Sequence, residues 1–426
     1  MGRVALCGVV VSMAALGACT GATTDDDAGS PDDEDAGPPP CEGHNGGDGA
    51  CVALDACSDG FALNADGHCV GVRAVGDLLQ GRAAHSATLL GDDRVVVVGG
   101  FMYTSLGDVV QLNTTEIIDL DTSTARPGPE LIELLTFHGA ARHASGDVVL
   151  VGKQSGSVLT YWIDAETEEL RLGPTLGRLR HNPIVVANSR GEVLAIGGDL
   201  AGTTELLDVE ATRWTGIGIQ LAQPFSNALW CHIDASRLLV HTALAFNTST
   251  STYEFPTTTV VIDIDALTLS PGPTLMETHF GGGCSALDDG RIVVFGGQKW
   301  SSTNNDWIVS TGFEVAASAD AESFEALPLY AGEFLGAQII SIDSGRFLIV
   351  GSDELELPDE RASAALGLID LSDSGASLLV AGRPWNRRYP VVATVRPGQE
   401  YLVVGGSLDN ATSARVDRVR IAKGFD

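Results

Sequence analysis

The chain has 426 residues, 44% of them apolar and 19% charged, with 56 acidic against 25 basic side chains and a formal net charge of −31. Phosphate binding needs a basic face, so nucleic acid is excluded as a partner, as is docking on anionic headgroups through basic residues. The 51 glycines favour many turns over long helices.

The first element, Met1 to Ala18, reads as an export signal. Arg3 precedes an apolar run from Val4 to Leu16, shorter than the roughly 20 residues that span a bilayer. The run ends in Leu16-Gly17-Ala18-Cys19. This resembles the lipobox of bacterial lipoproteins, whose cysteine is diacylated and becomes the new N-terminus. The resemblance implies lipidation at Cys19 and stable anchoring through two or three acyl chains. With Thr20 after the cysteine instead of Asp, it implies an outer-membrane or cell-surface lipoprotein, on the outer or the periplasmic face.

Residues 19–40 follow as a lipidated cysteine and an acidic linker. From Thr20 to Pro40 there is no aliphatic side chain larger than Ala and no aromatic, and the stretch closes with three prolines. Such a segment buries too little surface to offset its ordering entropy, so a disordered tether is expected. Residues 41–70 hold Cys41, Cys51, Cys57 and Cys69 among glycines and polar residues. Export places them in an oxidising compartment, so two disulfides are expected, with three connectivities open. This small Cys-rich module resembles a short EGF-like repeat. His44 and His68 lie nearby, but no C-x-x-C spacing is present, and no metal is expected.

From Val72 onward one pattern repeats. Seven apolar runs, mostly ending in glycine, are RVVVVGG from Arg94, DVVLVGK from Asp147, EVLAIGG from Glu192, RLLVHT from Arg237, RIVVFGG from Arg291, RFLIVGS from Arg346 and EYLVVGG from Glu400. Their first glycines, with His241 in the fourth slot, are spaced by 53, 45, 44, 55, 55 and 54 residues. Each run is preceded by another extended stretch, often opened by a histidine, and by a short turn of the hairpin kind. Each is followed by a third strand that often reaches an aspartate, then by a fourth. Four strands per unit at about 50 residues is a propeller-blade period. The diglycines Gly99-Gly100, Gly197-Gly198, Gly296-Gly297 and Gly405-Gly406, with Asp119, Asp164, Asp208, Asp263 and Asp370 closing third strands, resemble kelch-repeat β-propellers over residues 72–426. Trp214 is the clearest copy of the family's fourth-strand tryptophan.

The expected fold is therefore all-β: a seven-bladed kelch-type propeller after the linker and the small module. The last unit lacks a fourth strand, and Val72 to Leu79 has the character of one. Donating it to the last blade closes the ring and removes open edges.

In a propeller, loops joining second to third strands share a face with the blade-to-blade connections. Those loops vary most here and hold Phe101, Tyr103, Trp300 and Trp307, aromatics suited to stacking on a sugar or peptide. The blade-leading residues Arg82, His85, His138, His181, His279, Arg387 and Arg388 are expected near the same mouth, either as a ligand-recognising polar ring or as struts bound to neighbouring blades. Asp199 and Asp353, just past blade glycines, are the acid/base candidates. No nucleophile elbow, HExxH or Walker loop occurs. Kelch propellers include copper radical oxidases resembling galactose oxidase, which need a paired Tyr and Cys, two His and another Tyr, and no such set is assembled. They also include sialic-acid mutarotases. Cys231 and Cys284 fit equally a disulfide or two thiols. The leading expectation is a monomeric binding or adhesion module for protein or glycan ligands, without cofactor. The alternative is a carbohydrate-active enzyme using the mouth.

Overall fold

The computed structural model describes residues 63–65, 68–152, 158–199, 201–221, 228–242, 244–247, 252–304, 306–327, 336–341, 345–351, 366–371, 377–380, 389–408 and 411–423. All lie in the second of two compact units, Gly49–Asp426. The export signal, Cys19, the linker, Cys41, Cys51, Cys57, Asp353, Arg387 and Arg388 lie outside the described residues.

The fold is an all-β propeller. Among the described residues, six blades are sheets of four antiparallel strands in chain order. Blade 1 is Ser86–Leu90, Arg94–Val98, Thr115–Asp119 and Thr124–Pro127. Blades 2, 3 and 4 begin at Gly139–Arg142, Ile184–Ala187 and Leu229–His232, and blades 5 and 6 at Gly283–Ala286 and Gln338–Ser341. The seventh repeat does not form a four-stranded blade of its own, which corrects the expected count of seven to six. Its strands Val391–Arg396, Glu400–Val404 and Arg415–Lys423 instead join two N-terminal strands in a five-stranded sheet. There His68–Asp77 pairs antiparallel with Arg415–Lys423, Val72 opposite Val419, and Leu63–Ala65 adds an outer strand. The N-terminal closing strand is thus present, but it begins at His68, ahead of Val72, and draws Cys69 into the sheet.

The apolar runs are explained by burial on both faces. Val95 and Val97 face the closing sheet, packed with Leu78, Leu402 and Val404. Val96 and Val98 face blade 2, packed with Val148, Leu150 and Tyr161. A strand covered on both sides has no polar alternation, hence RVVVVGG. The diglycine that ends it is a steric necessity. Gly99 and Gly100 have φ of 60° and 88°, and a Cβ would lie 2.1 Å from the Leu135 carbonyl oxygen and 2.4 Å from that of Ala83. First strands of neighbouring blades lie side by side around the axis, as Val391–Arg396 does with Ser86–Leu90.

The two ends of the propeller differ. At one end third strands close in aspartate turns: Asp119 accepts from the backbone N–H of Asp121 and Thr122, and Asp164 from Glu166 and Thr167. Arg94 and Arg126 of blade 1 grip Glu168 of blade 2 there. At the other end the blade lead-ins meet the connections from second to third strand, through bridges Ala83 to Phe101 and Phe280 to Gln298. Among the described residues, four of those connections carry an extra two-stranded hairpin, for example Phe101–Tyr103 with Val109–Gln111 and Gln298–Ser301 with Asp306–Val309. This is the hairpin face.

Candidate functional site at the hairpin face

Among the described members of the expected polar ring, Arg82, His138 and His279 are committed to holding the blades. Arg82 is fully buried and donates to the carbonyls of Gly99 (2.9 Å) and Thr114 (3.1 Å) and to Glu116 (2.6 Å). Burial lowers the Arg82 guanidinium while Glu116 pulls it back up. Arg180 repeats the arrangement in blade 3, bonding the Gly197 and Thr203 carbonyls and Glu205 (2.9 Å). His279 fills the same slot in blade 5, with Nδ1 2.7 Å from the Gly296 carbonyl and Nε2 3.1 Å from Glu314. Each carboxylate is also capped by backbone N–H groups: Leu79 and Gln80 on Glu116, Gly177 on Glu205, Met276 and Glu277 on Glu314. A buried charge persists only when paired and hydrogen-bonded in this way. Of the two roles open to Arg82 and His279, ligand recognition or bracing, their contacts are bracing ones: they lock blade lead-ins to third strands.

The other candidates are placed as follows. His138 is buried, its Nε2 2.8 Å from Ser86 Oγ of the preceding blade, and burial pushes it down to about 3. His85 is wedged against the diglycines, so that a Cβ on Gly405 would lie 2.6 Å from its ring. Burial also lowers the half-buried His181, whose ring lies 6.3 Å from that of Phe137. Asp199 accepts from the Thr203 N–H (2.8 Å) and hydroxyl (2.7 Å), closing a short connection. Phe101 meets Tyr103 edge-on at 5.5 Å. The structure does not gather these residues around one ligand position.

What it does gather lies at the junction of blades 4 and 5. Trp300 stacks on Phe255 at 4.2 Å and an interplanar angle of 7°. Trp307 stands edge-on to both and 5.1 Å from Phe280. The four rings clasp the two neighbouring hairpin connections, yet each remains half-buried. Beside them Glu277 accepts from Lys299 Nζ (2.7 Å) and from the Ser310 hydroxyl. Burial pushes the Glu277 carboxyl up, but Lys299 and Ser310 outweigh it and hold it below its ordinary range. Below the clasp Cys231 and Cys284 form a disulfide between the first strands of the two blades, settling the pairing that composition left open. Glu277, Lys299 and the lock glutamates were not singled out from sequence. A glutamate near the start of the third strand (TEIID, TTELL) in phase with a basic residue before the first was the signal available.

No family model matches the sequence, and no curated protein matches it. Among solved structures it is similar to a fungal alcohol oxidase of the AA5 family, determined in complex with copper. The likeness has a TM-score of 0.57 at 13% identity and covers 81% of this chain and 75% of that one. It shows a shared propeller fold. Copper finds no matching donors among the described residues. Cys231 and Cys284 are joined to each other, so neither offers a thiol to a Tyr–Cys pair. Glu277, His279 and Glu314 bring three donor atoms within 4.8 Å of one another. Those donors are already bonded to Lys299, Ser310, the Gly296 carbonyl and backbone N–H groups. In blades 1 and 3 an arginine stands where His279 stands. The cluster does not fit copper.

Proposed function

We propose that this chain is a carbohydrate-active, exported, lipid-anchored kelch-repeat propeller that holds a hydroxylated ligand at its hairpin face. The observation that carries the reading is the half-buried clasp of Phe255, Trp300, Trp307 and Phe280 beside the Glu277–Lys299–Ser310 group. Sugar rings offer C–H faces that stack on indoles and hydroxyls that need donors and acceptors, and the two requirements meet at this junction. The fold neighbour, an alcohol oxidase, favours a carbohydrate-active role over simple adhesion. Glu277 and Lys299 are the paired acid and base that this junction presents beside a bound hydroxyl. Export is supported by the Cys231–Cys284 disulfide, which forms in oxidising compartments, and anchoring by the lipobox.

The test is a glycan array and a turnover assay on soluble protein starting at Cys41. Saturable binding of sugars, with or without anomer exchange, is expected. Silence toward every sugar would sink the reading. Peroxide release from sugars on adding copper would replace proton transfer with a redox site.

A further inference from the structure

We propose that the site at the blade 4–5 junction continues around the propeller mouth to Tyr389, and that its ligand is an oligosaccharide of three or more rings. One ring lies on the clasp, one over Gly281 and Gly336, and one on Tyr389. The inference rests on the carbohydrate reading and deepens it by setting the length of the ligand.

Each lead-in whose last turn is described enters its first strand through a residue of positive φ two places ahead of it. These are Ala84 (50°), Phe137 (51°), Asn182 (50°), Gly281 (69°), Gly336 (62°) and Tyr389 (54°). Neighbours in this set bond one another. The Asn182 N–H donates to the Phe137 carbonyl (3.0 Å), and the Gly336 N–H to the Gly281 carbonyl (2.8 Å). First strands lie side by side around the axis, so these residues rim the mouth at the hairpin face.

The left-handed conformation favours glycine, yet four of the six residues carry side chains. On blades 2 and 3 those side chains fill the rim. Phe137 leans toward His181, with ring centres 6.3 Å apart, and Asn182 is half-buried next to them. Blades 5 and 6 have glycine instead, and the glycines directly follow the clasp. Phe280, 5.1 Å from Trp307, is the residue before Gly281. A Cβ on Gly281 would meet no described atom within 4 Å, whereas one on Gly336 would lie 2.0 Å from Tyr389 Cδ1. The Tyr389 ring therefore rests on the Gly336 backbone, and the residue is still 43% exposed. Contacts run without a break from Trp307 through Phe280, Gly281 and Gly336 to Tyr389, so one extended ligand reaches all of them.

The ligand class follows from this layout. Exposed aromatic rings take the C–H faces of sugars. Phe280 and Tyr389 stand on lead-ins with that of blade 6 between them, so one pyranose ring matches one platform only. The side-chain-free backbone between the platforms leaves room for a linking sugar. A disaccharide covers the clasp and the glycines, and a third ring is needed to lie on Tyr389.

The experiment compares the soluble chain from Cys41 with Tyr389→Ala, Tyr389→Phe and Gly281→Asn. Alanine and asparagine already occupy this backbone position at Ala84 and Asn182. Maltose, cellobiose, maltotriose and cellotriose are titrated by calorimetry, and melting is followed in parallel. The wild type should bind a trisaccharide about tenfold more tightly than its disaccharide, the gain of one stacked ring. Tyr389→Ala and Gly281→Asn should bring that ratio close to one with melting unchanged, and Tyr389→Phe should restore most of it. A wild-type ratio of one, or a ratio that the first two variants leave intact, would overturn the inference while the carbohydrate reading stands. Affinity lost together with melting temperature would make these residues structural and overturn it as well. A wild-type protein that binds none of the four sugars would refute the reading and the inference together.

Discussion

Replacing Arg82 with Met leaves the Glu116 carboxylate, 3% exposed, with only its two backbone donors. It also strips the Gly99 and Thr114 carbonyls of a guanidinium donor. Breaking a buried ion pair from one side costs about 3–5 kcal/mol, because the remaining charge is uncompensated. The control is Arg142→Met. Its partner Asp92 is 92% exposed, so its loss should cost about 0–1 kcal/mol. Removing both lock partners, as Arg82→Met with Glu116→Leu, takes the stranded charge away and should recover a large part of the loss, giving a coupling of about 2 kcal/mol or more. Urea unfolding followed by tryptophan fluorescence reads wild type, Arg82→Met, Glu116→Leu, the double variant and Arg142→Met. If Arg82→Met costs no more than Arg142→Met, and the double variant shows no coupling, the lock is not what orders the blade lead-in.

Deleting through Asp77 removes the strand that pairs with Arg415–Lys423 and should destabilise the propeller by several kcal/mol, whereas deleting through Gly67 should not; equal melting temperatures would refute closure by this strand. Burial holds His138 down at about 3 and His241 at about 4, against about 6.5 in the unfolded chain. The unfolded state therefore binds more protons below that value, so their contribution is complete above about pH 6.5 and is lost as pH falls through about 4 for His241 and about 3 for His138. His138→Gln should flatten the fall of the urea midpoint by about one proton, and an unchanged slope would contradict the assignment. Reducing Cys231–Cys284, which closes a loop of sequence separation 53, should cost about 4 kcal/mol on the loop-entropy relation; no change in melting would show that the two blades are held by packing alone.

The glycine-terminated apolar runs were readable because a strand buried on both faces abandons alternation, and the period of the runs gave the propeller. The N-terminal strand was readable from the last repeat's missing strand. Its true start at His68 was not, since Cys69 reads as a disulfide cysteine and His68 as polar. The blade count changed because that repeat shares its sheet with both N-terminal strands and forms no four-stranded blade. Sequence leaves Arg82 and His279 open between ligand recognition and bracing, because a polar residue near a propeller mouth suits either. Their partners Glu116 and Glu314 lie 34 and 35 residues downstream, a distance that only the blade closes. The clasp of Trp300 with Phe255 joins two long variable connections, and no periodicity brings those together.

Ligand held at the hairpin face by the blade 4–5 junction is what the proposed function requires. Hydrogen–deuterium exchange on the soluble chain, with and without a bound neutral disaccharide, tests it most directly. Protection is expected to be confined to Gln298–Ser301, Asp306–Val309 and the lead-in at Glu277. Protection concentrated instead at the aspartate turns around Asp119, Asp164 and Asp208 would place the ligand on the opposite end and contradict it.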